Sequence, residues 1–346
     1  MTSLLHSEIS EQPSVLANLL QQERANVERI AQAIRNRQPR YLVLAARGSS
    51  DNAARYSQYL FGTVNHLTAA LATPSLFTLY QQPPRMDDAL VIAISQSGQS
   101  PDIVSVVAEG KRQGALTIAI TNAPDAPLAQ TADHTILLHA GAEKAVAATK
   151  TYSTSLMALA MLSAALAQDQ SRFETLARVP DWIDQVIQNG DKTIAAAERY
   201  CYINYCVVAS RGYNYATAYE IALKLKELTY IIAEPYSSAD FQHGPVAVVE
   251  HGFPVFAVVP EGILGGELVG FFKQLRDKEA DLVVVSAEPD ALALAQTRLS
   301  LPAGIPEWAS PLVAVVQGQL FALGLTLAKG YNPDQPRGLH KVTLTK

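Results

Sequence analysis

Residues 94–101 read ISQSGQSP, directly after the apolar run ALVIA. Three hydroxyls (Ser95, Ser97, Ser100), the Gln96 amide and a glycine are gathered where a buried strand should end. Ser100 and Pro101 have the form of a helix start, with a hydroxyl at the N-cap and proline at the first helical position, where its missing N–H does no harm. Strand, tight turn and helix in that order leave unpaired backbone N–H groups at the positive end of a helix dipole, and these suit an anion. An ordinary serine-rich turn has the same composition, so the stretch alone leaves both readings open. A second group lies in YEIALKLKELTY, where Glu220, Lys224 and Glu227 fall at i, i+4 and i+7 on one helix face. The pattern by itself favours a surface ion-pair ladder over acid–base chemistry. In DFQHGPVAV, His243 stands at the mouth of an apolar run; a turn histidine is more often structural, though its ordinary pKa suits proton transfer near neutrality.

The elements that must position these residues come in two copies. YLVLAARGSSDNAARYSQYL at 41–60 matches YCVVASRGYNYATAYEIALK at 205–224, and Arg47-Gly48 falls on Arg211-Gly212 at an offset of 164. The same offset places VIAISQSG (91–98) on VFAVVPEG (255–262), and Ala140-Gly141 lies one residue off it on Ala303-Gly304. Short β-branched runs alternate with helical patterns in both halves, which predicts parallel strands joined by right-handed crossovers: an α/β chain of two doubly wound domains. Ligands of open α/β sheets bind beyond the carboxyl ends of the strands, at the point where strand order reverses. There the first half carries GSSDN and SQSGQS, and the second carries GYNYA and VPEG, whose Glu261 would repel an anion. One phosphate site, in the first half, is expected.

Composition narrows the class. The 346 residues are 49% hydrophobic and 17% charged with a net charge of −5, a globular composition with no basic surface that would predict nucleic acid. MTSLLHSEISEQP lacks the basic and apolar regions of a secretory signal. The apolar stretch LMALAMLSAALA (156–167), read as the longest, is too short to cross a bilayer, so no membrane association is expected. Two cysteines, Cys201 and Cys206, make neither a disulfide framework nor a zinc site. These features point to a cytoplasmic protein. The chain has no GxxxxGK[ST] or GxGxxG, which argues against a nucleoside triphosphate or dinucleotide, and GQSPD lacks the second glycine of a hydrolase elbow.

EISEQP (8–13), RGSS (47–50), SQSG (95–98), GAEKAVAATK (141–150), EIALKLKE (220–227), QHGP (242–245) and DQPRGLHK (334–341) appear in an order and spread that span nearly the whole chain. Together they resemble the isomerase portion of glucosamine-6-phosphate synthase and, more broadly, proteins built from two sugar isomerase (SIS) domains. The resemblance implies two flavodoxin-like SIS sheets, organised as an N-terminal helical segment (1–34), a phosphate-binding SIS domain (35–168), a helical connector (169–200), a second SIS domain with the catalytic helix (201–330) and a tail (331–346). It further implies that Ser50, Ser95, Gln96, Ser97 and Ser100 hold a sugar phosphate. Glu227 would move a proton between C1 and C2 with Lys224 beside it, and His243 would open the ring from the neighbouring subunit of a homodimer. Lys341 would form a Schiff base with the open-chain sugar, Val146 and Ala147 would contact the sugar through their backbone, and Glu143 lies in the same loop. No metal or organic cofactor is implied.

This sequence departs from the synthase at Arg47, where the family has a small residue, and at Gln99 and Ala148, which replace an acidic residue and a hydroxyl. The chain starts at Met1-Thr2 just ahead of the match, without the glutaminase domain that supplies ammonia in the synthase. On that ground the expected reaction is deamination of glucosamine 6-phosphate to fructose 6-phosphate and ammonia. The alternatives are a glutaminase-less isomerase/aminotransferase, a deglycase of phosphorylated fructosyl amino acids, and a non-enzymatic sugar-phosphate sensor.

Overall fold

The computed structural model describes residues 3–339 and 341; residues 342–346 of the expected tail lie outside the described residues. Two parallel five-stranded sheets account for the repeat. The first contains β1 (Tyr41–Ala45), β2 (Thr68–Leu71), β3 (Ala89–Ile94), β4 (Leu116–Thr121) and β5 (His134–Leu137), in the order β2-β1-β3-β4-β5. The second contains β6 (Tyr205–Ser210), β7 (Ile232–Ser237), β8 (Pro254–Val259), β9 (Asp281–Ser286) and β10 (Thr297–Ser300), in the order β10-β9-β8-β6-β7. Read from its β7 edge, the second sheet has the strand order of the first, and every pairing in both is parallel. Residues matched by the 164-residue offset thus occupy equivalent strands, as in Val43 paired to Val91 and Val207 paired to Val255.

Burial follows from the connections. Crossover helices cover both faces of a parallel sheet, so its inner strands can be apolar throughout instead of alternating. Every residue of β3, β8 and β9 is buried. In the first sheet Val43, Val91 and Ala119 pack on Ile103, Val106 and Val107 of the helix Pro101–Arg112. In the second, Val255, Ala257 and Val284 pack on Leu268, Phe271, Phe272 and Leu275 of the helix Gly265–Asp277.

Each sheet organises one compact unit. Among the described residues, one unit comprises 14–143, 150–178 and 341; the other comprises 3–13, 144–149 and 179–339. The N-terminal helix Leu4–Ser10 and the short segment 144–149 therefore belong with the second sheet.

The helix Lys150–Ala167 is buried along most of its length, as its apolar composition requires. It is not the longest apolar element. The helix Ser310–Ala328 is long and apolar enough to cross a membrane, and 89% of that stretch is buried inside the protein. A predominantly apolar helix enclosed by protein is a core helix, and its two glutamines accept hydrogen bonds there, Gln317 from Thr193 Oγ1 and Gln319 from Gln12 Nε2. Its Gly318 lies directly against Ile221, where an added Cβ would collide with the isoleucine side chain, so the helix Tyr215–Thr229 can approach closely.

Candidate active-site residues

The sheet order 2-1-3-4-5 reverses direction between β1 and β3, and the loops that follow those two strands carry the predicted anion ligands. After β1, Gly48 adopts φ +56° and begins the helix Ser49–Asn65, with Ser50 in its first turn. After β3, Ser95 to Gly98 form a tight turn anchored to β4: Ser95 N–H donates to Ile120 O at 3.0 Å, and Asn122 N–H donates to Gln96 O at 3.1 Å. Within the turn, Ser95 Oγ accepts from Gly98 N–H (3.1 Å) and Ser97 Oγ accepts from Gln99 N–H (3.3 Å). Both hydroxyl protons therefore remain to be donated to a ligand. Gly98 is required at its position, since it sits at φ +62° and a Cβ there would be 2.6 Å from Ala126 Cβ.

Ser100 is the N-cap of the helix Pro101–Arg112, as the sequence predicts, but its hydroxyl makes no capping bond. The expected role for that hydroxyl inside the helix is thus not filled, and it is left for another acceptor. The first turn of the same helix holds a residue the sequence reading did not single out. Asp102 is fully buried, and its Oδ2 accepts from Arg47 Nε at 2.9 Å.

The Glu220, Lys224 and Glu227 face is not a surface ladder. Lys224 is 1% exposed and its Nζ lies 3.4 Å from Glu220 Oε1 and 2.6 Å from Glu227 Oε2; Glu220 is fully buried and Glu227 is 25% exposed. The spacing on a helix is the same for either reading, so the sequence could not tell them apart; the burial arises because this helix packs on both Ser310–Ala328 and β6. Of the two carboxylates on Lys224, Glu227 alone reaches solvent. His243 caps the short helix Ser238–Gln242 and is exposed, and among the described residues its ring has no hydrogen-bond partner.

Residues 144–149, which include Val146 and Ala147, are held by a carboxylate from the N-terminal helix. Buried Glu8 accepts from Lys144 N–H through Oε1 and from Ala145 N–H through Oε2 at 3.2 Å. That helix is capped by the tail, where Asp334 accepts from Leu4 N–H at 2.9 Å and Leu5 N–H at 3.0 Å. The tail also covers the end of the helix that carries Glu227: Arg337 stacks 4.2 Å from the Tyr230 ring, and its N–H donates to Tyr230 Oη at 2.7 Å. Neither Glu8 nor Asp334 was identified as functional from the sequence, although Glu8 is the first residue of EISEQP. In the first unit, Lys341 Nζ lies 2.6 Å from Oε2 of fully buried Glu143, which also accepts from Thr151 N–H (3.1 Å) and Thr151 Oγ (2.7 Å). The tail lysine and the loop glutamate are thereby brought together.

In the second half the equivalent turn is already occupied. Ile263 N–H donates to Glu307 Oε2 at 2.8 Å, and Gly304 N–H donates to Glu261 Oε2 at 2.6 Å. Glu261 is thus bonded to the backbone of Gly304, and Glu307, which the sequence gives no reason to select, is the carboxylate that takes the turn's own N–H.

The SIS domain model matches residues 37–165 and 204–328. The chain belongs to the SIS-domain family, among enzymes of the phosphosugar-isomerase type. It is homologous to the isomerase portion of glutamine–fructose-6-phosphate aminotransferase [isomerizing], being 32% identical to the Thermococcus kodakarensis protein of that name over 96% of this chain and 56% of the relative. The chain therefore spans a little over half the length of the curated relatives it matches. Among solved structures, a candidate phosphosugar isomerase from Silicibacter pomeroyi superposes with a TM-score of 0.87 at 33% identity, covering 96% of this chain and 100% of that one. The C-terminal domain of glucosamine-fructose-6-phosphate aminotransferase from Francisella tularensis superposes with a TM-score of 0.88 at 25% identity, covering 97% and 99%.

Proposed function

We propose that this chain catalyses aldose–ketose isomerisation of a hexose 6-phosphate whose C2 carries or receives an amino group, the chemistry of the isomerising half of an aminotransferase. The observation that carries this reading is the Lys224 ammonium buried against two carboxylates, of which Glu227 alone is open to solvent. In the proposed sequence His243 opens the ring, Lys341 condenses with the open-chain carbonyl to an imine with loss of water, and free ammonia displaces the lysine by transimination, which regenerates its amine and leaves the nitrogen on C2; the reverse sequence releases ammonia. Glu227 then takes a proton from one of the two adjacent carbons and returns it to the other through an enediol or enolamine, so no net proton is gained or lost. Lys224 holds Glu227 in place, and Glu143 stands ready to accept a proton from Lys341 as its amine becomes a nucleophile. The turn after β3, with Ser50, holds the phosphate.

The 32% identity along the isomerase portion of the aminotransferase supports isomerase/aminotransferase chemistry over the deamination expected from the sequence. Incubation with fructose 6-phosphate or glucosamine 6-phosphate in D2O tests the proposal directly: deuterium should enter at C1 or C2. Glu227→Gln should reduce that exchange by about 10²- to 10⁴-fold, the usual contribution of a positioned acid–base group, while hexose 6-phosphate binding persists. Exchange at the wild-type rate in this variant would remove Glu227 from the mechanism.

A further inference from the structure

Four observations around the turn after β3 converge on Arg47. The ligands assigned to the phosphate are neutral donors, yet a fully buried carboxylate, Asp102, stands in the first turn of the helix they introduce. A negative charge there opposes an incoming dianion unless it is compensated. Arg47 compensates it through Nε while its side chain remains 53% exposed, and Nε is the guanidinium atom engaged with Asp102. The other local charges are Asp51 and Arg55, themselves paired at 3.1 Å in the first turns of the helix Ser49–Asn65.

The internal repeat indicates what this arrangement is built to hold. Arg211, the counterpart of Arg47, pairs with Glu267 in the first turn of the equivalent helix at 3.1 Å. In that half an anion is already present: Glu307 sits on the turn's backbone N–H, and a Cβ on Gly212 would be 3.7 Å from its Oε1. At the local offset of 163, which pairs Ala140-Gly141 with Ala303-Gly304, the residue matching Glu307 is Lys144, and the neighbouring Glu143 is committed to Thr151 and Lys341. Thus one copy of the arginine, glycine and turn constellation holds a carboxylate of its own, and the other has a lysine, Lys144, at the matching position.

We infer that Arg47 is a specificity-determining residue that neutralises Asp102 through Nε and offers its Nη atoms to a phosphomonoester dianion bound at the turn after β3. The inference rests on the phosphosugar reading of that turn. Arg47→Gln alone would strand a buried carboxylate, so the informative variant is Arg47→Gln combined with Asp102→Asn; Arg47→Lys tests the charge without the planar fork. Inorganic phosphate is the probe, titrated calorimetrically at pH 6 and pH 8, alongside KM and kcat for a hexose 6-phosphate. Wild type should bind phosphate more tightly at pH 8, where the dianion dominates. The double variant should bind about tenfold or more weakly, as expected for a lost charge-assisted hydrogen bond, lose the pH preference, and raise KM with little change in kcat. Arg47→Lys should recover part of the affinity. A folded double variant that binds phosphate as wild type does, with the same pH preference, overturns the inference and leaves Arg47 as a structural partner of Asp102. Wild type that binds neither phosphate nor hexose 6-phosphate removes the phosphate reading itself, and the inference with it.

Discussion

At the scale of single residues, the two sets of candidate groups are built in opposite ways. Ser95 and Ser97 spend their oxygens on backbone N–H groups of their own turn and retain their protons for a ligand. Lys224 is enclosed by carboxylates and retains no exposed surface to speak of. Removing the Ser97 hydroxyl therefore costs the turn one long internal bond but costs a phosphate a donor to a charged oxygen. That donor is worth about 1.5–3 kcal/mol, so Ser97→Ala should weaken hexose 6-phosphate binding roughly 10- to 150-fold. Its melting temperature should stay close to that of wild type, and binding of the unphosphorylated sugar should not change. A strongly lowered melting temperature with unchanged phosphosugar affinity would mark Ser97 as a turn former. Lys224 is the more costly residue to remove: without Glu220 it keeps its 2.6 Å partner Glu227, whereas its own loss takes the ammonium from fully buried Glu220, and breaking a buried pair in that way costs about 3–5 kcal/mol.

At the scale of elements, function depends on how strands hand the chain to helices. Gly98 makes the turn after β3 possible because it combines a positive φ with an approach to Ala126 and Thr121 that leaves no room for a side chain. Gly98→Ala should destabilise the protein by about 1–3 kcal/mol, from the strained backbone and the overpacked contact together, and should disorder the turn after β3 that is proposed to hold the phosphate. Denaturant unfolding measures the first effect and hexose 6-phosphate titration the second; a fully stable, fully binding variant would show that the turn tolerates another path. The N-terminal helix acts as a clasp within its unit, capped by Asp334 at one end and holding Lys144 and Ala145 N–H groups through Glu8 near the other. A carboxylate that accepts backbone N–H groups fixes a loop more firmly than side-chain packing would, since each orphan donor must otherwise find water.

At the scale of the whole molecule, the proposed reaction needs a ring-opening histidine, and His243 is exposed in this chain with no ring partner among the described residues. The family resemblance implies, and we propose, that this group acts in the site of a neighbouring subunit. Mixing His243→Ala with Glu227→Gln chains, each inactive alone, should then restore activity, because a heterodimer has one site with both groups intact. Random exchange between two-fold dimers predicts recovery of about a quarter of wild-type activity. Mixtures that exchange subunits, as followed by native mass spectrometry, but stay inactive would place His243 and Glu227 in the same subunit's chemistry.

Much of the architecture follows from local sequence. Apolar β-branched runs, a repeat whose offset stays within a residue of 164 at the matched motifs and a Ser-Pro helix start determine two parallel sheets and the turn after β3, because strand period, helix period and capping are properties of neighbouring residues. The sequence also brought Glu220, Lys224 and Glu227 onto one helix face, since i, i+4 and i+7 always coincide there. Only the tertiary structure decided that this face is buried, which turned an apparent surface ladder into an enclosed charge group. It alone paired Lys341 with Glu143 across 198 residues, Glu8 with the 144–145 backbone and Asp102 with Arg47, and it closed the second half's turn with Glu307. Burial and long-range pairing depend on which elements pack together, and that information is spread over the whole core instead of residing in any short stretch of chain.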